Sequence, residues 1–241
     1  MKLDNLNIKL NNSNVLIYLM DFNAGSECTD QFLSFLNTDE KKKANKFHFE
    51  KDRIHYIIGR GALKLILSEI IMQPPESILF NYNEYGKPFL KSFPDVKFNI
   101  SHSNSKLLIA ISLRYNVGID IEFIRDDFAT ENIARQFFSE FEIEQLSKLD
   151  KTGFTEGFFN CWTRKEAFIK CVGMGLSLPL NSFDVELAPD KKVKIIDVRI
   201  PELKYKKYLL KNLNLKENYK AALCVEAGEV NYKLIELKNY C

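Results

Sequence analysis

The chain has 241 residues, of which 46% are hydrophobic and 27% are charged, and its formal net charge is +2. These values are typical of a soluble globular protein with one large or two fused compact units, and they exclude a disordered or membrane-embedded chain. No apolar run approaches the length of a membrane span, and the polar start lacks a signal-peptide pattern, so we expect a cytoplasmic protein.

The first part of the chain predicts one strand and two helical regions. Residues 15–20 form an apolar run typical of a buried strand, and residues 29–36 predict a short capped helix. A longer helical region follows, with lysines crowding its start from residue 41 and an apolar stripe that runs to residue 71. A Pro-Pro pair then ends it. The lysines are either a solvated helix face or a grip on phosphate.

Two polar motifs frame the next strands. Residues 85–88, Tyr-Gly-Lys-Pro, predict a turn in which Lys87 is either an ordinary exposed lysine or a charge presented at a fixed place. Residues 98–103 alternate in character before a strand at 107–112. His102 lies at the end of that alternation, where a scaffold can present function. We interpret it as a hydrogen-bond donor to an anion, with a loop histidine without a ligand as the alternative.

The stretch over residues 117–122, Val-Gly-Ile-Asp-Ile-Glu, separates its residues by chemistry if it is a strand. Side chains alternate faces along a strand, so Asp120 and Glu122 share one face about 7 Å apart, and the apolar residues share the other. Two carboxylates on a rigid backbone can share one hard cation such as Mg²⁺. A solvated acidic face is the alternative.

A second informative stretch is the predicted helix over residues 155–171. Glu166 lies four residues from both Trp162 and Lys170, so these three side chains share a helical face. An internal Glu166–Lys170 salt bridge is one interpretation, and a carboxylate available to a cation is the other.

A shorter helix is predicted earlier in the chain, over residues 131–138. It is followed by Ser139 and Glu142, which have the spacing of a capping box.

The remainder of the chain predicts short β segments, at residues 183–187, 193–198, 208–210 and 221–225. Charge is uneven along the whole sequence: basic and acidic residues number seven and four over 39–60, three and nine over 117–150, and ten and three over 191–220. This distribution favours a site for a cation and a phosphate over a uniform nucleic-acid surface. Five cysteines without a C-x-x-C pair favour reduced thiols.

Four motifs, in order along the chain, together resemble the 4′-phosphopantetheinyl transferases of the double-length surfactin-synthetase-activator type. The motifs are Tyr-Gly-Lys-Pro (85–88), Phe-Asn-Ile-Ser-His-Ser (98–103), Val-Gly-Ile-Asp-Ile-Glu (117–122) and Trp-Thr-Arg-Lys-Glu-Ala-Phe-Ile-Lys (162–170). The resemblance implies an α+β fold, a pseudo-dimer of two similar halves, each an antiparallel sheet packed with a long helix. Residues 1–114 would form the half that grips the coenzyme A nucleotide, and residues 115–241 the half with the Mg²⁺-binding acids and the lysines.

The resemblance also implies roles for individual residues. The metal ligands would be Asp120, Glu122 and Glu166, and three carboxylates converging at about 4 Å would repel one another by roughly 4 kcal/mol per pair without a cation. The residues that hold coenzyme A would be Lys43, Lys87, Ser101, His102, Lys165 and Lys170, with Lys43 and His102 on its 3′-phosphate. The catalytic residues would be Glu166 as general base, Lys170 at the leaving group, and Lys165. The family's early basic pair is only partly reproduced, since one aligned position is Glu40.

The implied reaction is attack by a serine hydroxyl of an apo acyl or peptidyl carrier protein on the β-phosphate of coenzyme A. It needs Mg²⁺ and releases 3′,5′-ADP, and it would serve fatty acid, polyketide, nonribosomal peptide or antibiotic synthesis. The resemblance implies a cytoplasmic monomer that meets its carrier transiently and binds neither nucleic acid nor membrane. The alternatives are a Mg²⁺-dependent phosphodiesterase or nuclease and a carrier-binding module without catalysis.

Overall fold

A computed structural model describes residues 10–187, 192–216 and 218–237 of the chain. The first half contains the strands β1 (Asn14–Asp21), β2 (Asn81–Tyr82), β3 (Pro88–Phe89), β4 (Lys97–Ser103) and β5 (Lys106–Ser112). Its helices are α1 (Phe22–Gly25), α2 (Thr29–Phe35), α3 (Thr38–Ala44) and α4 (Glu50–Ile71).

The second half begins with β6 (Val117–Phe123). Its helices are α5 (Glu131–Phe137), α6 (Glu140–Ser147), α7 (Lys151–Val172) and α8 (Pro201–Lys204). Its further strands are β7 (Phe183–Val185), β8 (Ile195–Val198), β9 (Leu209–Asn212), β10 (Tyr219–Val225) and β11 (Asn231–Glu236). The expected α+β fold of two halves, each a sheet packed with a 22-residue helix, is confirmed.

Each half is built around its own sheet. The first sheet has the order β11-β1-β5-β4 and is antiparallel except for the parallel β1–β11 pair; the second, β6-β10-β9, is antiparallel throughout. Because β11 comes from the end of the chain, it returns to the first sheet. The division at residues 114/115 stays a prediction.

The strand β5 shows how the halves pack. Its residues are buried on both faces, because alternate side chains point to opposite sides. Leu107, Ile109 and Ile111 enter the core that α4 covers. Leu108 and Ala110 enter a second core, shared with the apolar face of β6. Burying both faces of a strand in this way excludes water from the contact between the two sheets.

The predicted alternation in β6 is confirmed on its apolar face. Val117, Ile119 and Ile121 are all fully buried in the core between the sheets. The opposite face packs under α7, where a Cβ on Gly118 would lie 2.0 Å from the carbonyl oxygen of Ala167. Glycine at this position therefore lets the helix approach the strand closely, next to the acidic residues.

Several local predictions are confirmed and others are wrong. The Ser139–Glu142 capping box is present in both directions. The long helical region predicted from residue 41 is two helices, because α3 ends at Ala44 and α4 begins only at Glu50. Of the cysteines, Cys28 is disulfide-bonded, which corrects the prediction of a reduced thiol. No helix in the described ranges is long and apolar enough to cross a membrane.

Candidate functional site

The two halves meet along a row of side-chain hydrogen bonds between β4 and β6, which are edge strands of their sheets. Asn99 Oδ1 accepts from the Ile119 amide at 2.8 Å, and Ser101 Oγ donates to Asp120 Oδ1 at 2.8 Å. Ser103 Oγ donates to Glu122 Oε2 at 2.9 Å. We call this row the seam. It places two predicted metal ligands at the junction of the halves.

Asp120 is the centre of the seam. It is 2% exposed, and its Oδ1 lies 2.6 Å from Lys170 Nζ, which also donates to Ser101 Oγ at 3.0 Å. Its other oxygen, Oδ2, is buried without a hydrogen-bond partner among the described residues. Burial raises the pKa of Asp120, with Lys170 and Ser101 opposing the rise. A buried carboxylate oxygen without a donor is costly, so this atom fits a ligand such as a cation.

Glu122 and Glu166 belong to the same electrostatic neighbourhood. Burial, together with the Asp120 and Glu122 carboxylates, raises the pKa of Glu166 to about 7, and the nearby Lys170 ammonium opposes the rise. Burial and the Asp120 carboxylate also raise the pKa of Glu122, while Ser103 opposes them. The Asp120 carboxylate thus disfavours ionisation of both glutamates, and a cation nearby would stabilise the charged forms.

The cluster is looser than the sequence suggested. No group of three or more His, Cys, Asp or Glu side chains in the described ranges is arranged to hold a metal ion by itself, so the set of Asp120, Glu122 and Glu166 as metal ligands stays a prediction. One oxygen of the set, Asp120 Oδ1, is instead paired with Lys170 at 2.6 Å. Mg²⁺ is compatible with an incomplete protein ligand set because it usually keeps waters and substrate phosphates as ligands.

Lys165 does not reach the seam, which corrects its predicted contact with phosphate. Its side chain is fully buried in the second half, where Nζ forms a 2.8 Å ion pair with the equally buried Glu142. The same ammonium donates to the carbonyl oxygens of Leu180 and Phe183 at 2.7 and 2.6 Å. Lys165 is therefore a core residue, and the role of Glu142 is to pair with it and to cap α6.

Lys87 also differs from its predicted role at the nucleotide. Its Nζ donates to three backbone carbonyls, those of Val117 at 3.1 Å, Lys170 at 2.7 Å and Cys171 at 3.1 Å. Burial lowers the pKa of this amine. The three ammonium protons are thus all used within the protein, and Lys87 joins the first half to the start of β6 and the end of α7.

A cavity of about 360 Å³ lies on the other face of β4. Ser101 and His102 are neighbours on the strand, so their side chains diverge: Ser101 enters the seam, and His102 lines the cavity. The other polar or aromatic lining side chains include Lys43, Asp52, His55, Tyr56 and Arg60. Burial, followed by the Lys170 charge, lowers the pKa of His102. The cavity therefore collects two cations, Lys43 and Arg60, together with two imidazoles and one acid.

Sequence reasoning missed several of these residues. Asn99 and Ser103 alternate with Ser101 along one strand face, and that spacing of two could have identified the seam. His55 and Arg60 lie on α4, where Arg60 interrupts an apolar stripe between two glycines. The charge of Arg60 within this apolar stripe could have drawn attention to the residue, because a buried charge needs a partner or a ligand.

A partly buried acidic cluster with an ammonium, beside a cavity lined by two cations and held between two α+β halves, indicates an enzyme that acts on a phosphorylated substrate. Comparison with known proteins makes this specific. Residues 116–224 match the family model "4'-phosphopantetheinyl transferase superfamily", and residues 23–113 match "4'-phosphopantetheinyl transferase, N-terminal".

Two sequence relatives agree with this family. The chain is 34% identical over 205 residues to the 4'-phosphopantetheinyl transferase Sfp of Bacillus subtilis, covering 85% of this chain and 88% of that protein. It is 39% identical over 156 residues to the transferase gsp of Aneurinibacillus migulanus, covering 64% of each. A solved holo-(acyl-carrier-protein) synthase from Bacillus anthracis is similar at a TM-score of 0.39 and 22% identity, over 46% of this chain and 93% of that one. The chain belongs to the 4′-phosphopantetheinyl transferase superfamily, and it is a phosphopantetheinyl transferase.

Proposed function

We propose that this enzyme transfers the 4′-phosphopantetheine group from coenzyme A to a serine hydroxyl of an apo carrier protein and releases 3′,5′-ADP. The observation that carries the proposal is the seam, where the buried Asp120 carboxylate pairs with Lys170, and the half-buried Glu122 and Glu166 carboxylates share its electrostatic neighbourhood beside the cavity. The nucleotide end of coenzyme A would occupy the cavity, and its pyrophosphate would lie at the seam.

Mg²⁺ is part of the proposal. The residues that would hold it are Asp120, Glu122 and Glu166, and the buried oxygen Asp120 Oδ2 supports this because it has no donor among the described residues. When bound, the ion would neutralise charge on the pyrophosphate. Oxygen ligands of this type suit Mg²⁺ better than a soft metal.

The side chains of this chain supply the rest of the chemistry. The serine oxygen of the carrier attacks the β-phosphorus of coenzyme A, the bond from that phosphorus to the bridging oxygen breaks, and 3′,5′-ADP leaves. Glu166 accepts the serine proton as the general base, in the charged form that a cation beside it would favour. Lys170, largely buried and protonated next to Asp120, stabilises the charge on the leaving phosphate.

The remaining assignments follow from this reaction. Ser101 orients Lys170 and Asp120 through its hydroxyl, while Lys43 and His102 contact the 3′-phosphate in the cavity. The partner is an acyl or peptidyl carrier protein of fatty acid, polyketide or nonribosomal peptide synthesis, bound transiently by a cytoplasmic monomer. Residues 1–114 serve mainly the nucleotide, and residues 115–241 the metal and the transfer.

The test is the mass of an apo carrier protein after incubation with the enzyme, coenzyme A and Mg²⁺, with and without chelator. We expect a gain of one phosphopantetheine that chelator abolishes. Asp120→Asn should abolish the gain, and Glu166→Gln should slow it strongly. Glu144→Gln is the matched control, because Glu144 forms an exposed ion pair with Lys148 on α6.

Two outcomes would contradict the proposal. If coenzyme A binds but none of several carriers gains mass, the protein is a binding module without catalysis. If Glu166→Gln binds Mg²⁺ and coenzyme A normally and turns over at the full rate, Glu166 is not the base.

A further inference from the structure

The position of Glu40 leaves a gap in the basic residues expected around the nucleotide. Its carboxylate is 7% exposed and faces inward, where Oε2 accepts from the Asn37 amide at 3.0 Å and pairs with Lys64 at 2.7 Å. Lys64 is itself fully buried. Glu40 is therefore a cap and core residue, and its carboxylate does not supply the positive charge that a phosphate needs.

Arg60 brings a cation to the cavity from the next helix. It lies one turn before Lys64 on α4, and its side chain is 12% exposed. The guanidinium lies 4.7 Å from the centre of the Phe80 ring and 5.8 Å from that of Tyr56. Aromatic faces hold a guanidinium in place without neutralising its charge, so Arg60 is oriented and still positive.

The contacts of Arg60 leave one nitrogen of its guanidinium group without a partner among the described residues. Its Nε lies 3.7 Å from Glu40 Oε1, a longer contact than the 2.7 Å pair between Glu40 and Lys64. Its Nη2 donates to the Tyr82 hydroxyl at 3.4 Å. Its Nη1 is buried and has no acceptor among the described residues. Lys64 is the closer partner of Glu40, and Arg60 keeps one N–H group, Nη1, for a ligand.

A second cation lies in the same neighbourhood. Lys43 Nζ is 5.4 Å from the centre of the Tyr56 ring, so one aromatic side chain holds both Lys43 and Arg60 at the wall of the cavity. His102 lines the same cavity, and Asp52 is the acid among its lining residues. A cavity that gathers cations around one acid favours an anion, and a guanidinium fork matches the oxygens of a phosphate monoester.

We propose that Arg60 is a specificity-determining residue that recognises the 3′-phosphate of coenzyme A, a task for which the resemblance implies a basic residue at the position of Glu40. This inference rests on the proposed function, because that function supplies the ligand. Its Nη1 donates to a phosphate oxygen, and Lys43 and His102 contact the same group. The enzyme thereby prefers coenzyme A to 3′-dephospho-coenzyme A.

The experiment compares these two nucleotides, which differ only in the 3′-phosphate, in wild type and Arg60→Gln. We expect Arg60→Gln to lower kcat/KM about 10- to 100-fold for coenzyme A, as for loss of a charge-assisted hydrogen bond, and to leave the value for 3′-dephospho-coenzyme A within about twofold. Arg60→Lys should recover part of the preference. Arg53→Gln on the same helix is the control, because Arg53 pairs with the exposed Glu50.

Binding of both nucleotides by calorimetry separates this inference from the proposed function. If wild type binds coenzyme A more tightly than the dephospho form through Arg60 but modifies no carrier, the proposed function fails and the role of Arg60 stands. If Arg60→Gln lowers the affinity for both nucleotides equally, or for neither, the role of Arg60 is refuted. Wild type provides the same test where a variant folds poorly, since equal affinity for the two nucleotides would also refute it.

Discussion

Replacing Lys165 with methionine should destabilise the protein severely while leaving its binding of coenzyme A intact. The change leaves the Glu142 carboxylate in a fully buried position without its cation, which is 2.8 Å away in the native protein. Breaking a buried pair in this way costs about 3–5 kcal/mol. For a protein of this size each kcal/mol shifts Tm by about 2–4 °C, so we expect a fall of roughly 6–20 °C.

The neighbouring hydrogen bonds define the double variant. Lys165 also donates to the Leu180 and Phe183 carbonyls, and Glu142 also accepts from the Val185 amide at 2.8 Å. In Glu142→Gln/Lys165→Met the buried charge is gone, and the glutamine oxygen can still accept from backbone amides. The double variant should therefore lose less stability than the sum of the single variants.

The assays are thermal and urea unfolding together with kcat and KM for coenzyme A at a temperature where the variant is folded. Lys148→Met, which removes an exposed ion pair with Glu144, is the control and should change stability by less than about 1 kcal/mol. A Lys165→Met variant that unfolds like wild type but has a greatly raised KM for coenzyme A would refute the reasoning. Lys165 would then contact phosphate, as the family resemblance implies.

Three further predictions concern the surroundings of the site. Lys87→Met should lower the free energy of unfolding in urea by about 2–4 kcal/mol, because it leaves three backbone carbonyls without their donor. It should also lower kcat more than it raises KM. The control, Lys91→Met at an exposed position, should change neither stability nor kinetics. Gly118→Ala should lower the free energy of unfolding by several kcal/mol in the same assay, because its Cβ would lie 2.0 and 2.2 Å from backbone atoms of α7. Gly228→Ala is the control and should have little effect, because its Cβ would lie no closer than 3.5 Å to another residue. Burial and Lys170 lower the pKa of His102, so the folded protein favours the neutral imidazole. Its contribution to the free energy of unfolding is therefore fully present above pH about 6.5, the ordinary pKa of histidine, and is lost as the pH falls below that value. A bound phosphate favours the imidazolium, so affinity for coenzyme A should rise between pH 7.5 and 6 in wild type; a His102→Gln variant with the same rise would contradict this.

The sequence predicted the elements whose pattern is local. The period-two alternation in β6 determines which side chains enter the core, and the Ser139–Glu142 spacing determines a cap. Both depend on residues a few positions apart, which physical rules relate directly. The four motifs added the family, because their order and combination are specific. The long-range β1–β11 pairing has no such local signal, and it was not predicted.

The site residues divide along the same line. Lys165 and Lys170 are five residues apart, which is about 140° around a helix, so they cannot both face the seam; helix geometry alone could have shown that one of them points elsewhere. Which one does so depends on Glu142, a partner from another helix. The cation of Arg60 at the cavity depends in turn on the aromatic rings of Tyr56 and Phe80. Such contacts appear only when the chain is folded.

The seam has a consequence for solubility. The strands β4 and β6 are both sheet edges, and an exposed edge offers unpaired backbone groups to any passing strand. Here each edge covers the other, and the side chains of Asn99, Ser101 and Ser103 take the place of a backbone ladder between them. Bulky apolar replacements at these positions would remove those bridges and uncover two β edges at once. Such variants should aggregate as well as lose activity.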